Sequence, residues 1–167
     1  MIKGIKMNVI FKNDSDLVMY MASLLALAHA DGKFLECEQV CLSQLAAGYA
    51  SQLGIRDFNA IIAEVEKKWM SKDEFRKELD GWQKALRNRP VVARVLAKDM
   101  ILLGCSDGDY CEVERQMVAE AANRFGVDTD VLKALEDAIE ASISAAVRMS
   151  EILTNGLPQN DRVVDHV

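Results

Sequence analysis

The chain has 167 residues, half of them hydrophobic, which suits one globular domain with a sizeable core and excludes a disordered composition. Its formal net charge of −6 argues against a general nucleic-acid-binding protein, because such proteins are normally basic. The most apolar stretch, residues 17–30, is too short to span a bilayer, and the N-terminal residues contain no signal-peptide core. With four cysteines in that context, we expect a cytoplasmic protein with free thiols.

Apolar residues recur with a helical period along nearly the whole chain, and alternating β-branched runs are absent, so we expect an all-α protein. Pro90 suits a first helical turn, and Gly54 suits a helix end. Residues 15–153 are the expected domain, between an N-terminal extension (1–14) and a flexible tail (154–167). Seven helices are predicted, in chain order, at about residues 15–30, 36–53, 57–70, 72–86, 90–106, 112–125 and 128–153.

One phrase occurs twice: residues 30–38 read ADGKFLECE, and residues 106–114 read SDGDYCEVE. The similarity extends beyond the phrase at the same offset of 76 residues (107 − 31), so that Leu24 corresponds to Met100. We therefore expect two repeated α-hairpins, formed by the first and second helices and by the fifth and sixth. Because the first and fifth helices are apolar nearly all round, they are predicted to be a buried central pair. The expected fold is a compact single-domain bundle of about seven helices, with the third and fourth packed outside this pair.

The repeated phrase is consistent with helix punctuation. Gly32 and Gly108 are suited to the left-handed conformation that closes a helix. Glu38 and Glu114 fall at the third position of the following helix, where a carboxylate can accept a hydrogen bond from the first backbone amides. On this interpretation the two phrases end one helix and begin the next, and bind nothing.

The phrase is also consistent with a cation site. Asp31 and Asp107 lie at the C-terminal ends of their helices, where the helix dipole makes a carboxylate unfavourable. Either each side chain turns away to cap its loop, or a cation offsets the repulsion. Carboxylate and carbonyl oxygens suit calcium, magnesium or manganese. The spacing is not that of an EF-hand, because no Gly occupies position six and no Glu occupies position twelve.

The four cysteines allow a weaker metal hypothesis. Cys37 and Cys41 are one helical turn apart, and Cys105 and Cys111 flank the second loop, so a four-thiolate zinc site is conceivable. The repeat argues against it, because the other copy has apolar residues in place of Cys37 and Cys41. We interpret these thiols as small buried hydrophobic groups.

Two long segments resemble the TerB-like tellurite-resistance family: LLALAHADGKFLECEQV (24–40) and LAKDMILLGCSDGDYCEVERQMVAEAANRFGVD (96–128). In both, an apolar helix ends in Ala/Ser-Asp-Gly, a Glu follows, and the next helix closes on Leu/Phe-Gly. The resemblance covers about residues 15–150. It implies an internally duplicated, all-helical bundle that is not an enzyme, and a bacterial stress-response or scaffold module with membrane-associated protein partners.

The same resemblance implies divalent-cation binding at acidic positions. Carried over position by position, these are Asp31 and Glu38 in the first copy and Asp107 and Glu114 in the second. The alternative is a structural or protein–protein interaction domain that binds no metal.

Two further classes of function are an enzyme and an interaction module. A catalytic role for His29 is disfavoured, because His166 is the only other histidine and no phosphate-binding loop or catalytic triad is present. An interaction role rests on the seventh helix, whose apolar stripe could dock a partner helix or a second copy, although such stripes more often face the core. The stripe consists of Val131, Leu135, Ile139, Ile143 and Val147.

Overall fold

The structure, a computed structural model, describes residues 11, 14–29, 34–54, 63, 65, 72–86 and 88–155. These residues form six α-helices and no strands, which confirms the all-α prediction. The predicted helix at 57–70 lies outside the described residues apart from residues 63 and 65, which are helical. The helices are α1 (Asp14–Ala28), α2 (Glu36–Leu53), α3 (Lys72–Leu86), α4 (Pro90–Gly104), α5 (Glu112–Arg124) and α6 (Thr129–Thr154).

Local signals fix most helix ends. Pro90 occupies the first turn of α4, where its missing N–H costs no hydrogen bond. Gly54 ends α2 in the left-handed conformation, with φ of 71°. Two helices end slightly earlier than predicted, α1 at Ala28 and α4 at Gly104, because the chain turns before it reaches each Asp-Gly phrase.

α1 and α4 are the buried centre of the bundle and contact each other. From Leu17 to Ala28, every α1 side chain except that of Met19 is buried. α2 packs on both central helices, α5 packs on α4, and α3 contacts α1, α4 and α5. The predicted central pair is therefore present, whereas the duplication of the two hairpins stays a prediction.

Four aromatic side chains meet where α1, α2 and α3 come together. We call this group the aromatic cluster: Phe11, Tyr20 of α1, Tyr49 of α2 and Trp82 of α3. The ring centroid of Phe11 lies 5.3 Å from that of Tyr20, 5.1 Å from that of Tyr49 and 6.1 Å from that of Trp82. Trp82 is buried, so the cluster is part of the core.

α6 has two unlike halves. In its first half, Leu132 and Ile139 are buried, and the helix packs on α4 and α5. We call residues 140–153 the distal half of α6, and every residue of it is exposed. The apolar stripe predicted along this helix therefore faces the core only as far as Ile139. Within the described part of the chain, no helix combines the length and apolar composition needed to cross a membrane.

Candidate functional site

The second acidic loop, residues 105–111, connects α4 to α5. The N–H of Ser106 donates to the carbonyl of Leu103 at 3.0 Å, and the N–H of Gly108 donates to that of Cys105 at 3.2 Å. Gly108 has φ of 86°, a left-handed conformation that favours glycine, as predicted. Gly32, its counterpart in the first loop, lies outside the described residues.

The two glutamates cap the helices that follow the loops. The N–H of Leu35 donates to Glu38 Oε2 at 2.6 Å, and the N–H of Cys111 donates to Glu114 Oε2 at 2.9 Å. Each Glu is the third residue of its helix, and each is buried. A carboxylate at this position also interacts favourably with the positive end of the helix dipole. The predicted capping by both glutamates is therefore confirmed.

Asp107 turns towards its own loop. Its Oδ1 accepts a hydrogen bond from the backbone N–H of Asp109 at 2.9 Å, while the side chain stays exposed. This is the first of the two alternatives for a carboxylate near a helix C-terminus, and it needs no cation. Asp31, the corresponding residue, lies outside the described residues.

The described residues contain no group of three or more His, Cys, Asp or Glu side chains arranged to hold a metal ion. Glu38, Asp107 and Glu114 are among the described residues, and Asp31 is not. Cation binding at the four acidic residues therefore stays a prediction.

Tyr110 fixes the second loop against the bundle. A Cβ added at Gly104 would lie 2.7 Å from Cδ2 of its ring, so only glycine leaves room for the ring. The Arg115 guanidinium lies 4.3 Å from the ring centroid on a cation–π contact and 4.0 Å from Glu136 of α6. Burial, followed by the charge of Glu136, raises the pKa of Tyr110 well above its usual value. The loop is thereby tied to α4, α5 and α6.

Asp99 is a buried charged residue that the sequence analysis missed. It lies in the middle of α4 and is fully buried. The hydroxyl of Tyr49 donates a hydrogen bond to Asp99 Oδ2. The ammonium of Lys98 forms an ion pair with Asp99 Oδ1 at 2.6 Å. The available signal was the Lys98-Asp99 pair within an otherwise apolar helical segment, LAKDMILLG (96–104).

Burial controls the acid–base properties around Asp99. It raises the pKa of the Asp99 carboxyl, against the lowering effects of Lys98 and of the Tyr49 hydrogen bond. Burial and the charge of Asp99 together raise the pKa of Cys41 to about 11 and that of Tyr49 well above its usual value. A thiol with such a pKa is protonated at neutral pH and is a poor nucleophile and a poor metal ligand. Cys41 is only half-buried, and its raised pKa agrees with the interpretation of this thiol as a packing group.

The chain was compared with known proteins. The family model described as tellurite resistance protein TerB matches residues 17–137. The chain belongs to the TerB family. No curated protein and no solved structure gave a match.

The TerB match coincides with the packed bundle. It begins at Leu17, which is buried in α1, and ends two residues before Ile139, the last buried residue of α6. Two described features lie outside it: Phe11, which is buried in the aromatic cluster, and the exposed distal half of α6. The acidic loops, Asp99 and the remaining aromatic residues of the cluster all lie within the TerB match.

Proposed function

We propose that this chain is a non-enzymatic TerB module that acts as a scaffold by binding a protein partner. The observation that carries this proposal is the distal half of α6, an exposed apolar helix outside the packed bundle. The tellurite-resistance description of the matching family supports a role in a stress response of that type. Free cysteines support a cytoplasmic setting.

The chemistry of the distal half favours an apolar partner surface. Its large apolar side chains become more exposed along the helix, from 39% at Ile143 to 61% at Ile152 and 68% at Leu153. Residues 141–153 contain only two charged residues, Arg148 and Glu151, which are of opposite sign. The partner surface that fits is therefore the apolar face of a helix, because burying apolar area yields about 25 cal/mol per Å². That helix belongs to a different protein or to a second copy of this chain.

Site-specific photo-crosslinking in cells tests this surface. A photoreactive residue at position 152 should give one defined protein adduct, whereas one at Lys133, exposed in the packed half of the same helix, should not. The Val147→Glu/Ile152→Glu variant should keep the wild-type Tm, because both positions are exposed. Because position 152 is changed in this variant, its photoreactive residue is placed at Leu153, and the adduct should be lost there. An adduct with the chain itself would identify the partner as a second copy.

Equal labelling at positions 152 and 133, or no adduct at 152, would contradict the interaction proposal. Tellurite sensitivity provides the cellular readout: cells that depend on this chain should become more sensitive with the double variant than with the wild type.

The second candidate function is divalent-cation binding through Asp31, Glu38, Asp107 and Glu114. It is supported by the exposed carboxylates of Asp107 and Asp109, for which no ion pair is found within the described residues. A carboxylate has about four lone-pair sites on its two oxygens, so accepting a capping hydrogen bond does not by itself exclude cation binding. Calcium, magnesium and manganese are the ions that suit these oxygen ligands.

Thermal unfolding with and without calcium, magnesium or manganese tests this candidate. A bound ion should raise the Tm of the wild type by about 5 to 11 °C at 100-fold excess over Kd, and should not raise that of Asp31→Asn/Asp107→Asn. Asp130→Asn, an exposed change at the start of α6, should respond like the wild type. Identical unfolding curves for all proteins in all conditions would contradict cation binding and leave only the scaffold proposal.

A further inference from the structure

We propose that the aromatic cluster is a recognition site for one aromatic side chain, and that this chain fills the site in cis with Phe11. The site is separate from the distal half of α6 and does not depend on it. Three walls come from three helices: Tyr20 of α1, Tyr49 of α2 and Trp82 of α3. The ligand class is a single six-membered aromatic ring carried by an unbranched linker, as in a phenylalanine side chain.

The walls and the occupant have different origins in the chain. All three wall residues lie within residues 17–137, which the TerB model matches, whereas Phe11 precedes that region. Phe11 also precedes α1, so it is not itself part of a bundle helix. The family domain therefore supplies the site, and a residue outside the domain fills it.

The geometry is that of ring recognition. Phe11 is only 4% exposed. Its ring meets Tyr49 at an interplanar angle of 89° and Trp82 at 78°, the edge-to-face arrangement that aromatic pairs prefer. Tyr20 and Trp82 also meet edge to face at 78°, so the walls support one another. An apolar space with rigid aromatic walls is expected to stay dry when empty and to accept an aromatic molecule.

The polar groups of the three wall residues differ in whether they have a hydrogen-bond partner. Tyr20 donates to the carbonyl of Leu96 at 3.2 Å, and Tyr49 donates to Asp99. The indole Nε1 of Trp82, in contrast, is buried and has no hydrogen-bond partner among the residues that the structure describes. A phenyl ring accepts only a weak hydrogen bond from an N–H group. Phe11 therefore leaves this buried donor without a strong acceptor.

Small-molecule rescue of Phe11→Ala in the full chain tests the proposal. Loss of a buried Phe should lower the Tm by roughly 10 °C. Toluene should restore part of the loss and should leave the wild type unchanged, because Phe11 already fills the site. Methylcyclohexane has a similar size and no aromatic ring, so it should restore clearly less. Rescue by the two compounds to the same extent would show a simple cavity and overturn the proposal.

A peptide in trans tests side-chain recognition. The peptide of residues 5–13, IKMNVIFKN, should raise the Tm of Phe11→Ala, and the same peptide with Ala in place of Phe should not. Equal effects of the two peptides, or none, would overturn the proposal. If Phe11→Ala does not fold, Phe11→Leu leaves a smaller gap and is tested in the same way, with the same outcomes for and against. Neither experiment involves the distal half of α6, so its failure is distinguishable from failure of the scaffold function.

Discussion

Asp99 carries a carboxyl group in the middle of the central helix pair, where burial favours its neutral form. Burial raises the folded-state pKa above the usual value of 3.8, even though Lys98 and Tyr49 both act to lower it. Between the unfolded and the folded pKa, the folded protein binds more protons than the unfolded chain. The contribution of Asp99 to stability is therefore fully present below pH 3.8 and is lost as the pH rises through the folded pKa.

We predict that Asp99→Asn removes this pH dependence. From about pH 4 to about pH 8, the free energy of unfolding of the wild type should fall relative to that of the variant, by about 1.4 kcal/mol for each unit of pKa shift. The asparagine side chain keeps an acceptor for the Tyr49 hydroxyl, so the packing is preserved. Urea unfolding at a series of pH values measures the difference.

Asp109→Asn is the matched control, because Asp109 is exposed in the second loop. Its free energy of unfolding should run parallel to that of the wild type. A constant difference between Asp99→Asn and the wild type at every pH would show that Asp99 does not titrate differently in the two states.

The glutamate caps and Asp99 differ in how far the sequence could predict them. Glu38 and Glu114 accept hydrogen bonds from amides three residues away, so the chain spacing alone predicts the contact. The contact between Asp99 and Tyr49 joins residues 50 positions apart on α4 and α2. No local spacing encodes it, because it depends on how two helices pack.

At the scale of the elements, the end of α4 depends on a close approach. The Cβ that Gly104 lacks would lie 2.7 Å and 2.8 Å from two ring carbons of Tyr110. The ring cannot easily move away, since Arg115 lies on it at 4.3 Å. The sequence marked this glycine only as a helix residue next to the loop.

We predict that Gly104→Ala destabilises the protein by about 1 to 3 kcal/mol, because the methyl group overlaps the Tyr110 ring. Gly81→Ala, in an exposed position of α3 with no atom within 4 Å of the added Cβ, should instead stabilise it by about 1 kcal/mol. Chemical denaturation of the two variants measures both effects. An equal gain in stability at the two positions would exclude the close approach.

Helix location was predictable because it follows from local periodicity and end signals. α2 and α3 begin and end at the predicted residues. The burial of α6 was not predictable in the same way: its apolar stripe continues unchanged beyond Ile139, but the bundle does not. A stripe shows which face of a helix is apolar, and only the neighbouring helices decide how far along the helix that face is covered.

At the scale of the whole molecule, the packed bundle ends inside α6. The TerB match ends at residue 137, and burial ends at Ile139, although the helix continues to Thr154. The cooperative unit should therefore be complete without the distal half.

We predict that a chain ending at Glu140 keeps the Tm of a chain ending at Asn155 within about 2 °C, because residues 141–153 are all exposed. A chain ending at Asp130 loses the buried side chains of Leu132 and Ile139 and should lose cooperative unfolding. Calorimetry compares the three proteins. A large fall in Tm for the chain ending at Glu140 would show that the distal half stabilises the bundle.

The sequence by itself determined the helical class, the positions of the helices, the two glutamate caps and the left-handed Gly108, because each depends on residues within a few positions of one another. It also indicated the TerB family through two Asp-Gly phrases and the helices around them. The sequence left two alternatives for Asp107, and the structure shows that its side chain caps its own loop. Only the tertiary structure decided that Tyr49 donates to the buried Asp99. It alone decided that Phe11 enters a site walled by three helices and that the distal half of α6 is uncovered, because these contacts depend on segments far apart in the chain.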